Sequence, residues 1–187
     1  MAWIEGMLHT RGKVATIQRT PKVTTRVSLK RSSGSRDPAS RDSGVEGYVL
    51  SDALLKSGEL FVAGTDTYLT QSVEVDDGGD FYFALKCNAT ITHQRYTESV
   101  DENWNRTQSW ATLATSSAWI QVVTARMRGE DPGLVDNARY VLQVPASLGV
   151  AELDRIVIGA TNYKVESVDD VAMSGVDRVQ LSIDTRP

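Results

Sequence analysis

A single cysteine, Cys87, stands in a chain of 187 residues, so no intrachain disulfide can form and a disulfide-stapled scaffold is excluded. Histidine is almost as scarce. His9 and His93 are the only two, and with one cysteine they cannot make a recognisable zinc site. Long apolar runs are missing as well: Ile156-Val157-Ile158 is typical, far short of the roughly 20 residues that cross a bilayer, so no membrane contact is expected. There is no glycine-rich phosphate loop followed by Lys-Ser or Lys-Thr, no dinucleotide fingerprint and no Gly-x-Ser-x-Gly elbow. The opening Met1-Ala2-Trp3-Ile4-Glu5-Gly6 carries an early acid and no continuous apolar stretch. That is not the pattern of a secretory signal, and synthesis in the cytoplasm is expected.

What is present is ordinary globular material, 41% hydrophobic and 24% charged, enough to build a core. The net charge of −4 hides an asymmetry. Residues 1–41 hold nine Lys and Arg against two acids, a net of +7, and the rest holds eleven against 22, a net of −11. A basic arm on an acidic body points to polyanion contact or to docking on an acidic partner.

Period-two alternation dominates the chain. Lys13 to Arg19 and Val23 to Lys30 alternate apolar with polar, as half-buried strands do, with Thr20-Pro21-Lys22 between them as a turn. Further strands are expected at Val45 to Leu50, Leu60 to Ala63, Tyr68 to Val75, Phe81 to Cys87 and Ile91 to Tyr96. Others follow at Trp119 to Ala125, Arg139 to Val144, Arg155 to Ile158, Tyr163 to Val168 and Arg178 to Ile183. Helix has little room: Trp110, Leu113 and Ala114 hint at one short turn, and Ala146 to Leu153 at another. Residues 31–44, rich in Ser, Gly and charge, read as a long mobile loop. The expected fold class is mainly β and barrel-like. An N-terminal β lobe spans 1–96, a Trp-containing linker 97–118 and a C-terminal β lobe 119–187, with one continuous barrel as the other arrangement.

An internal repeat supports two lobes. Residues 59–73 align with residues 154–168, and Val62/Val157, Gly64/Gly159, Tyr68/Tyr163, Ser72/Ser167 and Val73/Val168 are identical. An acid opens each copy, a glycine permits a tight reversal, and a tyrosine on the returning strand packs its ring. Two ordinary hairpins that coincide are the alternative to a duplicated, pseudo-symmetric barrel.

Catalytic groups leave little trace, and neither an enzyme nor a cofactor is expected. His93, in Thr92-His93-Gln94-Arg95, reads as a surface histidine on a polar strand, and His9 lies in a frayed N-terminal arm. Asp76-Asp77 with Asp80, and Asp169-Asp170, follow the repeated strands where solvated turns belong, without the EF-hand spacing. Arg26, Lys30, Arg31, Arg36 and Arg41 lie on or beside the basic loop, suited to phosphate oxygens or to an acidic neighbour. No aromatic falls within 9–41, so stacking on single-stranded bases is not supported. Trp104 and Trp110 sit in polar surroundings. They are either interface anchors or part of a segment folded back between the lobes.

The run Leu153-Asp154-Arg155-Ile156-Val157, Gly159, Tyr163-Lys164-Val165-Glu166-Ser167-Val168 and Arg178-Val179-Gln180-Leu181 resembles the closing segment of tailed-bacteriophage head-closure proteins, also called stoppers or head–tail connector proteins. The resemblance covers residues 140–187, with 45–90 as a weaker second copy. It implies a structural virion protein of the phage neck, a β-barrel subunit of a homo-oligomeric ring. Its implied partners are portal and adaptor proteins on one side and tail-terminator or tail-tube proteins on the other. In that family a loop can help retain packaged double-stranded DNA by non-specific contact, a role that would fall here to residues 31–44. Another phage tail component, such as a tail terminator or hub-type β protein, is the alternative, and a nucleic-acid-binding β-barrel a more distant one.

Overall fold

Side chains alternate along Lys13–Ile17 and Val23–Val27 so that Ala15, Ile17, Thr25 and Val27 turn inward, and this pattern opens the first of two β-barrels. The structure, a computed structural model, describes residues 2–32, 43–75, 79–100, 104 and 106–186. A helix, α1 (Ala2–Arg11), leads into β1 (Lys13–Ile17), β2 (Val23–Val27), a two-residue β3 (Lys30–Arg31) and β4 (Gly44–Val49). A 3₁₀ turn (Ser51–Ala53) follows, then β5 (Leu60–Ala63), β6 (Asp66–Glu74) and β7 (Asp80–Lys86). The strands pair in the order β2-β1-β5-β6-β7-β4, and β4 meets β2 again at Val27↔Val49, so six strands close on themselves. β3 rides on β4, with Lys30 opposite Glu46 and Arg31 opposite Val45. Inside, Phe61 stacks on Tyr68 at 5.1 Å and meets Tyr82 edge-on at 5.4 Å. The Tyr82 hydroxyl donates to Ser28 O (2.7 Å), which satisfies the one polar atom of that ring.

The second half repeats the scheme. β8 (Ala89–Val100) and β9 (Arg106–Val122) are followed by a short helix, α2 (Ala125–Glu130), β10 (Tyr140–Pro145) and a 3₁₀ turn (Ala146–Leu148). β11 (Arg155–Ile158), β12 (Thr161–Asp169) and β13 (Val176–Ile183) complete a closed barrel in the order β9-β8-β11-β12-β13-β10. Its core is Ile91, Leu142, Val144, Ile156, Tyr163, Val165, Val179 and Leu181. The chain divides into two compact units, 1–88 with 145–147 and 170–176, and 89–144 with 148–169 and 177–187.

The expected repeat is present, and it extends past the aligned hairpins to the whole of each barrel. Leaving aside the two-residue β3, both halves run strand, strand, strand, 3₁₀ turn, then three strands, with the same neighbours around each ring. Gly64 and Gly159 turn the two repeated hairpins at φ 67° and 60°. Tyr68 opposes Phe61 and Tyr163 opposes Ile156 in the matching register. The ladder to the next strand slips at Thr70/Ser72 in one copy and at Val165/Ser167 in the other.

Three readings of the sequence change here. Residues 97–118 are not a linker: apart from the undescribed 101–103 and 105, and Trp104, they belong to β8 and β9. Where these strands leave the barrel they have no core face, so the alternation that marks a strand disappears. The helical hint at Trp110 to Ala114 is β9 for the same reason. The N-terminal arm is a helix held by the fully buried Leu8, with His9 on it. Most of the expected loop, 33–42, and the pair Asp76-Asp77 lie outside the described residues.

Candidate functional site

The basic residues divide by location. Arg26, on β2, donates from Nη1 to Gly12 O (3.1 Å), taking up a carbonyl left just past the end of α1. Lys30 faces Glu46 across β3–β4, 3.6 Å between charges. Arg31 ends β3 and is exposed, and Arg36 and Arg41 lie outside the described residues. Arg26 thus ties β2 to the end of α1, whereas the Lys30 side chain stays 77% exposed.

The two tryptophans also part company. Among the described residues, β8 beyond Gln94 has β9 as its one strand partner, and the pair continues to Val100↔Arg106 as a two-stranded ribbon whose β8 side chains from Arg95 to Val100 are all exposed. Trp104, between the strands, is 87% exposed. Trp110 is at the root of the ribbon and half-buried. Tyr96 meets it edge-on at 5.5 Å, and the Arg155 guanidinium lies 3.7 Å and that of Arg186 4.8 Å from its ring centroid. Asp184, whose side chain is fully buried, accepts from Arg155 Nε (2.7 Å) and Arg186 Nε (2.8 Å), and Arg155 also donates to Arg186 O (2.8 Å). Burial alone would raise the Asp184 pKa, but the hydrogen bonds from Arg186 and Arg155 outweigh it and hold the group at about 2. Indole, guanidiniums and carboxylate together fix the C-terminal residues 184–186 and the ribbon root to β11.

His93 is not on the surface. It is fully buried, and Nε2 lies 2.7 Å from Asp154 Oδ2. It occupies the place in the second barrel that Ile17 holds in the first, opposite Ile156 as Ile17 is opposite Phe61. Asp154 also accepts from Arg95 Nε (2.9 Å) and Nη2 (2.7 Å) and from the Ala151 N–H (2.8 Å). Burial pushes this carboxyl up, and the donors Arg95, His93 and Ala151 together carry it below the ordinary carboxylate range. His93 Nδ1 has no partner among the described residues. The signal that could have found it was parity, since Ile91 and His93 are two apart and so share the inward face.

Among the described residues no group of three His, Cys, Asp or Glu could hold a metal, and no helix is long and apolar enough to cross a membrane. Cys87 is a free thiol whose pKa burial pushes up to about 12, which makes it a poor nucleophile. An open groove of about 590 Å³ at the end of the second barrel lies between β9, β10 and the loop after α2. Arg128 at its wall donates to Val135 O (3.3 Å) and to Ala138 O, and so ties that loop down.

Residues 83–178 match the family model described as phage head completion protein, a span that runs from β7 into β13 and takes in most of the second barrel. Among solved structures, SF1141 from Shigella flexneri 2a shares 14% identity with a TM-score of 0.45, over 54% of this chain and 96% of its own. MrkH, described as a c-di-GMP-dependent transcription regulatory factor, shares 8% identity with a TM-score of 0.16, over 100% of this chain and 82% of its own. At these TM-scores neither likeness bears on fold or function. No curated protein matches the chain.

Proposed function

We propose, since this chain belongs to the phage head completion protein family, that it is a subunit of a head-closure ring in the neck of a tailed phage. Membership makes it a structural protein of the head–tail neck that works among other head and tail proteins. The ring would stand between the portal and its adaptor on one side and the tail terminator or tail tube on the other, and would help retain packaged DNA. The observation that carries this reading is that the barrel matching the family also extends the exposed β8–β9 ribbon. Identical subunits close into rings through heterologous contacts, for which exposed ribbons and loops are suited. Trp104 at the ribbon offers a large rigid surface at little cost in ordering entropy, as interface anchors do. Trp110, beneath Arg155, contributes by holding the ribbon root.

For the DNA role the reading takes the cluster on or beside the basic segment 31–44, Lys30 with its exposed side chain and Arg31, Arg36 and Arg41. Positive side chains attract phosphates whatever the sequence, with an affinity that falls steeply with salt. Particles assembled with Arg31→Gln, Arg36→Gln and Arg41→Gln together test it. Leakage of DNA from tailless heads is the expected result. Loss of the protein from the neck instead reassigns the three arginines to docking on an acidic neighbour. Infectious, DNA-filled particles refute both roles, and a particle neck that lacks the unsubstituted protein refutes the ring reading itself.

A further inference from the structure

We infer that the β8–β9 ribbon joins neighbouring copies of this chain edge to edge, the β9 edge of one copy pairing antiparallel with the β8 edge of the next. This rests on the ring reading above and names the contact that would build the ring.

The barrels are closed, so their walls offer few strand edges, and the ribbon is the exception. β8 pairs with β11 only from Ile91 to Gln94, and β9 pairs with β10 only from Trp119 to Val122, yet the β8–β9 ladder runs on to Val100↔Arg106. Along Ala111–Ser117 on one side, and at Tyr96, Thr97, Ser99 and Val100 on the other, each strand therefore has a single strand neighbour. Alternate N–H and C=O groups of these residues point outward, away from the ladder that the two strands share.

Composition sets the β9 edge apart. From Thr107 to Ala125 there is no Asp, Glu, Lys, Arg, Pro or Gly, and Thr112, Leu113 and Thr115 are exposed. Free edge strands are normally guarded by lysine, proline or an inward charge against pairing with another chain. β9 has only the bulge at Leu113, where the register steps from Ala114 to Thr112. A long, uncharged edge rich in Thr and Ser is one that pairs in the working assembly.

The geometry selects a second copy as the partner. The ribbon has two open edges that run in opposite directions. Copies related by rotation about an axis inclined to the ribbon set β9 of one against β8 of the next in antiparallel sense, the more stable ladder, and the inclination slides Ala111–Ser117 of one copy toward Tyr96–Val100 of the next. The two sides of that contact use different strands, so it is heterologous and repeats until the ring closes. A dissimilar protein adding one strand would occupy one edge and leave the other bare.

Cysteine pairing in assembled particles tests the contact. In a Cys87→Ala background, one set of chains carries Thr112→Cys, Thr115→Cys or Ser117→Cys and another carries Thr97→Cys or Ser99→Cys. Each combination is co-assembled, oxidised and run without reductant. A disulfide-linked dimer of this chain is expected in at least one combination, and in none of the single-site controls. Protein present in the neck with no such dimer in any combination overturns the inference, as does linkage only to a different head or tail protein. Absence of the chain from the particle overturns the ring reading together with it. The second variant, Leu113→Lys with Thr115→Lys, places guards on the edge. Its melting temperature should stay within about 2 °C of the parent, while incorporation into particles falls about tenfold or more. Unchanged incorporation counts against edge pairing.

Discussion

Glu59 and Asp154 share one pattern of hydrogen bonds in two different barrels, to which Asp154 adds His93. Each side chain accepts the N–H three residues earlier, Lys56 at 2.9 Å and Ala151 at 2.8 Å. Each backbone C=O accepts the N–H eleven residues later, Thr70 and Val165, both at 3.0 Å. Each carboxylate also meets an arginine two residues beyond the matching position of the neighbouring strand, Arg19 at 3.1 Å and Arg95 at 2.7 Å. The residue before the acid has positive φ in both, Gly58 at 82° and Leu153 at 69°. Unrelated hairpins have no cause to agree in caps, bulge and ion pair at once, so the two barrels are copies of one unit.

The two positive-φ positions respond differently to substitution. A Cβ at Gly58 would meet Gly175 O at 1.9 Å, so only glycine fits there. Leu153 is exposed and carries its side chain at a backbone angle that costs a non-glycine residue about 1 kcal/mol. Gly58→Ala should destabilise by more than about 2 kcal/mol, while Leu153→Gly should be neutral or gain up to about 1 kcal/mol. Chemical denaturation measures both, and a tolerated Gly58→Ala would refute the steric account.

Acid should weaken the second unit first. Asp131, Asp154, Glu166 and Asp184 all lie in it, and all have pKa values below their ordinary range. Burial opposes this shift in Asp154, Glu166 and Asp184, and the hydrogen bonds that do most to overcome it come from Arg95, Lys164 and Arg186. In Asp131 the Arg178 hydrogen bond is the main cause. A depressed carboxyl binds its proton more weakly folded than unfolded. Its stabilisation is therefore whole above about pH 5 and is lost as pH falls through about 4 toward 2. Asp184 alone should contribute about 2 kcal/mol of that loss. Tryptophan fluorescence reports mainly this unit, which holds Trp104, Trp110 and Trp119 of the four tryptophans. Asp184→Asn should lower the midpoint at pH 7 and flatten its acid dependence, and an unflattened profile would remove Asp184 as the cause.

Trp110→Ala and Trp104→Ala should have opposite effects. Removing the ring under Arg155 leaves a buried guanidinium facing a cavity, at a cost of about 3 kcal/mol. Removing the exposed Trp104 should change stability by less than about 0.5 kcal/mol and reduce incorporation into the neck instead. Thermal melts with a particle-assembly assay separate the two. A stable Trp110→Ala, or an unstable Trp104→Ala, would reverse the assignment.

Strands that line a barrel were legible because burial imposes a period of two. Leu60–Ala63 alternates in burial along its whole length and has the bounds expected of it. The outer half of β8–β9 was hidden because a ribbon wet on both faces has no such constraint, so Thr97 to Trp110 looked like loop. Among its described side chains the helix α1 buries only Leu8 completely, too little to leave an apolar stripe. His93 is misplaced when its polar neighbours are weighed instead of its parity with Ile91. The tasks of Arg26 and Trp110 depend on residues distant in sequence, Gly12 across a turn and Arg155 on another strand, and local composition could not show them.

The ribbon root has a mechanical consequence. Traction applied at the far end of β8–β9 passes along both strands into the barrel wall. There it pulls lengthwise on the ladders Ile91–Gln94 with β11 and Trp119–Val122 with β10. Loaded in that direction, the bonds of each ladder share the force and must rupture together, whereas a sideways peel would open them one at a time. The bulge beside His93 and Gln94 lets the ribbon bend where it leaves the wall. The arm therefore leaves the wall at a bend and resists being drawn out along its length.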